Sequence, residues 1–206
     1  GEVALGRQRV GLDLELGDRG PTVKAGWFET LGAHELLGIV LFEKSQYAEA
    51  RDEFERELVQ ARGRTHIYKE RTLMRCHGYL YLIDLTSGDQ EAIEGSSRGI
   101  DEFLDTLLQG GGDLKAAKFH NNLAWLLATE GNGRASVLAK ALEHARIAVE
   151  QSGRENARFL DTLAEVYERM GDPDKALEVT LEGLALDAQE ESLLARQARL
   201  TGQDAN

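Results

Sequence analysis

Apolar residues recur at spacings of three and four along most of the chain, which is the period of an amphipathic helix. In residues 33–62 a polar break at 44–46 separates two such blocks, whose helical faces carry Leu37, Leu41, Ala50, Phe54 and Leu58. The same order returns near the C-terminus, where Asp172 is placed to cap a helix and Pro173 to occupy its first turn. The pattern predicts an all-α fold made of helical hairpins.

Four segments of the chain superimpose when they are written from Leu31, Arg71, Ala117 and Ala157. In the first helix of three of them, an apolar, a small and a large residue stand at positions seven, eight and eleven: Leu37, Gly38 and Leu41; Leu123, Ala124 and Leu127; Leu163, Ala164 and Tyr167. The second segment has His77, Gly78 and Tyr81 there, a weaker match. The second helices carry Ala50 and Phe54, Ala92 and Ser96, Ala141 and Ala145, and Ala176 and Thr180. Small residues at such places let antiparallel helices approach closely, and large residues fill the space one turn away.

This pattern resembles the tetratricopeptide repeat family. The stretch LDTLAEVYERMGDPDKALEVTLEGLALD (Leu160–Asp187) carries most of the resemblance, followed by LLGIVLFEKSQYAEARDEFEREL (Leu36–Leu58) and by NNLAWLLATEG (Asn121–Gly131), which is typical of bacterial members. The resemblance implies a right-handed superhelical solenoid of about four repeats over residues 31–188. Their boundaries are 31–70, 71–116, 117–156 and 157–188, and their starts are 40, 46 and 40 residues apart, more than the usual repeat of about 34 residues.

The two ends of the chain are expected to cap this stack. Residues 1–30 alternate like a strand around Val10–Leu16 but also fit a degenerate helical hairpin, which we favour because a lone strand has no partner. Residues 189–206 are expected to form a C-terminal capping helix with a frayed tail. In that helix Leu193, Leu194 and Leu200 would cover the last repeat, while Glu190, Arg196, Gln197 and Arg199 would face water.

Composition narrows the classes of partner. The 206 residues carry a formal net charge of −12, which argues against a nucleic-acid binder and against an anionic membrane surface. No run of residues is long and apolar enough to predict a membrane span. The single cysteine, Cys76, excludes an internal disulfide framework and a cysteine-rich zinc site.

The sequence shows no catalytic or metal-binding pattern. The five histidines show no ligand spacing on one helix, and His77 falls at a packing position. Arg75 and His77 flank Cys76 in sequence, but adjacent residues on a helix point in different directions, so they do not form a nucleophile–base pair with it. The carboxylates of residues 52–57 alternate with arginines and are expected to form a solvated helix face, and the glycines at 110–112 to form a loop. We therefore expect no enzyme, no cofactor and no metal.

In the family that the sequence resembles, first helices line the concave face through positions two, five, nine and twelve. Carried over, these are Glu35, Ile39 and Phe42; Arg75, Tyr79 and Leu82; Lys118, Asn121 and Trp125, with Asn122 at the rim; and Arg158, Asp161, Glu165 and Glu168. From these we select Arg75, Tyr79, Lys118, Asn121, Asn122, Trp125, Arg158 and Asp161 as the predicted binding residues. Glu35 and Ile39 stand where the family's clamp for chaperone tails needs lysine and asparagine, so that ligand is not implied.

The resemblance therefore implies a protein-interaction scaffold that binds a peptide or partner segment in a concave groove. An alternative is a subunit that assembles with itself or with a larger complex, so a homo-oligomer is an open expectation. Another is the soluble part of a membrane-anchored bacterial envelope protein. A cytoplasmic location is favoured, or a periplasmic or anchored one if an N-terminal segment has been removed.

Overall fold

The computed structural model describes residues 14–17, 20–23, 32–62, 69–109 and 113–202. These ranges contain nine helices and one pair of short strands. The helices are α1 (Ala33–Glu43), α2 (Tyr47–Arg62), α3 (Lys69–Ser87), α4 (Gln90–Gln109), α5 (Asp113–Glu130), α6 (Ala135–Gln151), α7 (Ala157–Arg169), α8 (Pro173–Leu186) and α9 (Glu191–Thr201). From residue 32 onward every described element is helical, as the apolar periodicity predicts.

The expected N-terminal helical hairpin is wrong for the residues that can be checked. Strands β1 (Leu14–Gly17) and β2 (Gly20–Val23) pair antiparallel, with Leu14 opposite Val23 and Gly17 opposite Gly20. The period-two alternation of this stretch therefore forms a strand whose partner is the segment directly after it. The other residues of the predicted cap at 1–30 lie outside the described ranges.

Consecutive helices pack as antiparallel hairpins. Gly38 of α1 faces the Phe54 ring of α2, and a Cβ built on Gly38 would lie 2.7 Å from that ring. The small residues predicted for close helix approach in three of the four hairpins are fully buried, namely Ala50, Ala124, Ala141, Ala145, Ala164 and Ala176. The predicted partners Phe54 and Thr180 are also fully buried. These hairpins therefore follow the predicted register.

The second hairpin departs from that register. Ala92 and Ser96 are only partly buried, and the buried face of α4 is formed by Ile100, Phe103 and Leu107. The His77 ring of α3 stacks on Phe103 with the ring centroids 5.4 Å apart. Because α4 extends over 20 residues, its packing face begins more than one turn later than the alignment indicates.

Side chains cap the helices at several places. Asn156 accepts hydrogen bonds from the first turn of α7, and Asp172 caps α8 with Pro173 in its first turn, as predicted. The carboxylate of Glu57 accepts from the backbone N–H groups of Gly32 and His34 at 2.8 and 3.1 Å and so caps α1. Glu53 and Glu57 are buried, so the prediction that residues 52–57 form a wholly solvated face is wrong.

The C-terminal helix α9 packs in a way that the sequence did not predict. Leu193 is fully buried against α8, as expected, but Leu194 is exposed. Arg196, expected to face water, is only 5% exposed because its guanidinium lies among three carboxylates of α7. Packing therefore buries the charged residue and leaves a leucine in solvent.

The first helices of successive hairpins contact each other. α1 packs on α3, α3 on α5 and α5 on α7. Each second helix also packs against the first helix of the following hairpin. This order places the odd-numbered helices side by side and brings the predicted binding residues to neighbouring helices. Within the described ranges, no helix has the length and apolarity that a membrane crossing requires.

Candidate functional site

A groove of about 470 Å³ lies between α3 and α5. It is lined by Arg71, Met74, Arg75 and Tyr79 from α3 and by Asn122, Leu123, Trp125 and Leu126 from α5. Four of the eight predicted binding residues therefore border one cavity. Its walls combine arginine, amide, thioether and aromatic groups, a mixture that can hold both an apolar and an anionic group.

Trp125 is the exposed aromatic side chain of this groove. It is 51% exposed although it lies beside fully buried residues of α5 such as Ala124 and Leu127. Lys118 and Asn122 precede it by seven and three residues, so the three side chains share one face of α5. A large indole surface left in water next to a cavity is typical of a binding anchor.

Tyr79 does not serve as the second exposed anchor that the sequence predicts. It is 6% exposed, its ring stacks on Phe54 with centroids 5.0 Å apart, and the Phe42 ring meets it edge-on at 5.1 Å. Burial raises the pKa of Tyr79 to about 12, so the phenol stays neutral at physiological pH. Phe42 and Leu82, also carried over as lining residues, are buried as well.

Arg75 pairs with a buried acid and also lines the groove. Its Nε lies 2.9 Å from Oε1 of Glu35, whose side chain is almost fully buried. Burial raises the pKa of Glu35, and the Arg75 guanidinium opposes that rise. Arg75 is therefore held in a fixed position with about a third of its side chain exposed, and part of its charge is neutralised by Glu35.

The polar residues of α5 differ in their surroundings. Lys118 and Asn122 are exposed, and Nδ2 of Asn122 lies 3.3 Å from Sδ of Met74 across the groove. Asn121 is partly buried, and its Oδ1 has no hydrogen-bond partner within the described part of the chain. Only Asn122 of this pair borders the groove, so the two adjacent amides do not act on one surface.

Arg158 and Asp161 lie on α7, away from this groove. Arg158 is exposed, with Nε 3.8 Å from an Oε2 atom of Glu190. Asp161 accepts a hydrogen bond from Arg196 at 3.0 Å, and Glu165 and Glu168 contact the same guanidinium at 2.7 and 2.5 Å. The acidic end of the predicted surface is thus occupied by α9 of the chain itself.

Sequence reasoning missed Arg71, Met74, Leu123 and Leu126 as lining residues. Arg71 and Met74 lie one turn before Arg75 and Gly78 on the same face of α3, and Leu126 packs against Gly78. Arg71 precedes Arg75 by four residues, and Met74 follows Arg71 by three and precedes Gly78 by four, so helical spacing along this face could have identified both α3 residues. Whether Leu126 lines the groove depends on the distance between α3 and α5, and the pattern of residues within one helix does not predict that distance.

Cys76 and the pair His120 and His144, whose side chains are of reactive types, pack against other residues of the fold. Burial raises the pKa of the Cys76 thiol, so the thiol stays protonated at neutral pH. Within the ranges that the structure covers, no three or more metal-ligating side chains form a cluster. Nδ1 of His120 lies 3.0 Å from Nδ1 of His144, with the rings stacked and joining α5 to α6.

The His120–His144 pair is expected to make stability depend on pH. Burial, and then the neighbouring His120, lower the pKa of His144 from 6.5 to about 4. As the pH falls, the unfolded chain therefore takes up a proton before the folded one does. The contribution of His144 to stability is fully present above pH 6.5 and is lost as the pH falls towards 4. Lys140, Glu143 and Asp101 also lie near the pair.

Between pH 7 and pH 4, the free energy of unfolding of His144→Phe is expected to fall by about 2 kcal/mol less than that of the wild type. Phenylalanine keeps a ring against His120 and Tyr81 but takes no proton. Urea denaturation of both proteins across this range measures the difference, and the comparison cancels carboxylate titrations common to both. Parallel profiles would show that the pair does not govern the acid response.

Comparisons with protein-family models, with curated proteins and with solved structures found no match for this chain.

Proposed function

We propose that this chain is a non-catalytic interaction module of the tetratricopeptide type, which binds an acidic peptide segment in the groove between α3 and α5. The resemblance of residues 31–188 and the side-by-side packing of the first helices support a right-handed superhelical solenoid. In such a solenoid the first helices line the concave face. The groove then lies on that face, between the second and third repeats.

The half-exposed Trp125 beside a partly apolar groove is the observation that carries this proposal. An indole supplies a large, rigid contact area for little loss of side-chain entropy. Met74 and Leu126 border the same cavity and extend the apolar area available to a ligand side chain.

Charge around the groove selects the ligand. Arg71 and Lys118 are exposed. The charge of Arg71 also acts on Glu35, where it opposes the rise in that carboxyl's pKa. Arg75 adds a third cationic group, partly neutralised by Glu35. These cations attract a carboxylate at close range, although the net charge of −12 repels acidic ligands at a distance. Binding should therefore strengthen at low salt only if the local cations outweigh the net charge.

The structure limits how far a ligand can extend. Asp161, Glu165 and Glu168 of α7 are engaged by Arg196, and Glu168 also by Arg199. A cationic ligand group at these carboxylates would compete with the Arg196 guanidinium. The binding surface that we propose therefore centres on α3 and α5 and omits Asp161.

Trp125→Ala is expected to weaken binding by about 2 kcal/mol, or roughly thirtyfold, because it removes the apolar anchor. The ligand for this test is a peptide selected from a display library of random twelve-residue sequences by immobilised wild-type protein. Fluorescence anisotropy measures its affinity for each variant. Leu181→Ala, an equally exposed apolar residue on α8, is the matched control and should bind as the wild type does.

Arg71→Glu tests the charge in the same assay. It is preferred to Arg75→Glu, which would place a carboxylate against the buried Glu35 and would confound binding with folding. We expect Arg71→Glu to slow association at low salt. If no selected peptide loses affinity with Trp125→Ala or Arg71→Glu while circular dichroism stays unchanged, the groove is not the binding surface.

A further inference from the structure

Helices α3 and α5 run in the same direction across the groove. Nζ of Lys115 lies 2.9 Å from Oε1 of Glu70, and Nδ2 of Asn122 lies 3.3 Å from Sδ of Met74. Farther along, a Cβ on Gly78 would lie 2.7 Å from Cδ2 of Leu126. The contacting residues advance together along both helices, so residues at equal depth in the groove can be identified.

This order places the exposed cations Arg71 and Lys118 toward one end of the groove and Trp125 toward the other, while Arg75, which is paired with Glu35, lies between them. Arg71 lies one residue after Glu70, and Lys118 lies three residues after Lys115, so the two cations lie near the same end. Trp125 follows Lys118 by seven residues on the same face, which places it about 10 Å farther along the axis. Asn122 lies between the two ends.

The separation of about 10 Å and the Asn122 amide together favour one peptide conformation. An α-helix also spans about 10 Å between residues seven apart, but its carbonyls are bonded within the helix and do not accept from Asn122. In a β-strand every second side chain points to the same side, so side chains on one side lie about 7 or 13 Å apart. In a polyproline II helix every third side chain points to the same side, and two such side chains lie about 9 Å apart along the axis. The polyproline II helix also leaves backbone carbonyls free to accept a hydrogen bond from the Asn122 amide, in place of the weakly accepting Met74 sulfur.

From this geometry we infer that the groove recognises a polyproline II segment in which an acidic residue and an apolar residue are three positions apart. The carboxylate pairs with Arg71 and Lys118, and the apolar side chain lies against Trp125 and Leu126. This inference rests on the proposed function and adds to it the spacing and the conformation of the ligand.

Synthetic fluorescent peptides test the spacing directly. The probe contains Asp-Pro-Pro-Leu between glycine flanks, and its controls contain Asp-Pro-Leu, Asp-Pro-Pro-Pro-Leu and Asn-Pro-Pro-Leu. A Leu-Pro-Pro-Asp peptide determines the direction of the chain. We expect one of the two three-position peptides to bind at least tenfold more tightly than the shorter, longer and uncharged controls.

A charge exchange on the protein supplies the second test. In the double variant Arg71→Glu with Lys118→Glu, selection from the random library should replace the acidic residue with lysine or arginine at the same spacing. Both positions are exposed, so the fold should be retained, which circular dichroism checks.

The outcomes distinguish the inference from the proposed function. If peptides bind and depend on Trp125 and Arg71 but show no preference for spacing, the inference is wrong and the interaction module stands. If no peptide, synthetic or selected, depends on those two residues, both are wrong.

Discussion

Arg196→Ala is expected to lower the free energy of unfolding by about 3 kcal/mol, since it removes the single cation that three carboxylates share. The guanidinium of Arg196 contacts Asp161, Glu165 and Glu168, and the side chain is only 6% exposed. Removing one partner of a buried ion pair costs about 3–5 kcal/mol, and we use the lower end because each carboxylate remains about one quarter exposed.

The pKa values of this cluster give the expected result a pH dependence. Although burial opposes it, hydrogen bonds from Arg196 and Arg169 lower the pKa of Glu165, and a hydrogen bond from Arg199 is the main cause of the lowered pKa of Glu168. Carboxylates with lowered pKa values contribute stability at neutral pH and lose it as the pH falls through the folded-state pKa. The difference between the wild type and Arg196→Ala should therefore shrink in acid.

Arg199→Ala is the matched control for Arg196→Ala. Arg199 also contacts Glu168, at 2.9 Å, but about half of its side chain is exposed. We expect it to cost less than about 1 kcal/mol, because solvent screens an exposed pair. Urea denaturation at pH 7 measures both variants, and equal losses would contradict a special role for the buried guanidinium.

Gly38→Leu is expected to lower the free energy of unfolding by about 3 kcal/mol through overpacking. Even a Cβ at this position would lie 2.7 Å from the Phe54 ring, which is fully buried and stacked on Tyr79. Tyr79 is stacked on this ring, so we expect the larger side chain to push α1 and α2 apart. Ala164→Leu, at a fully buried position on α7, should also be strongly destabilising.

Gly95 supplies an internal control for the prediction at Gly38. It lies in the interior of α4, and a Cβ there would have no atom within 4 Å. Gly95→Ala should therefore raise the free energy of unfolding by about 0.5–1 kcal/mol, because alanine favours a helix over glycine. Thermal or urea denaturation should give opposite signs for Gly38→Ala and Gly95→Ala. The same sign in both would contradict the close approach of α1 and α2.

Local patterns in the sequence determined much of the helical architecture. Apolar spacing predicted the eight helices between residues 33 and 186, and Asp172 with Pro173 marked the start of α8. The small residues Gly38, Ala124 and Ala164 marked contacts within their hairpins. These signals succeed because helix periodicity and capping depend on residues a few positions apart.

Tertiary packing decided the features for which the sequence left several solutions. The face of α4 that meets His77 depends on where a 20-residue helix is placed, and residues 14–23 fit both a strand and a helix. Tyr79 and Trp125 hold equivalent repeat positions, yet Phe42 and Phe54 cover only Tyr79. Arg196 is buried because α9 brings it against carboxylates about thirty residues earlier in the chain. The sequence by itself thus determined the helices and most hairpin contacts. Which side chains remain exposed for a ligand was decided by distances between helices, which depend on contacts far apart in the chain.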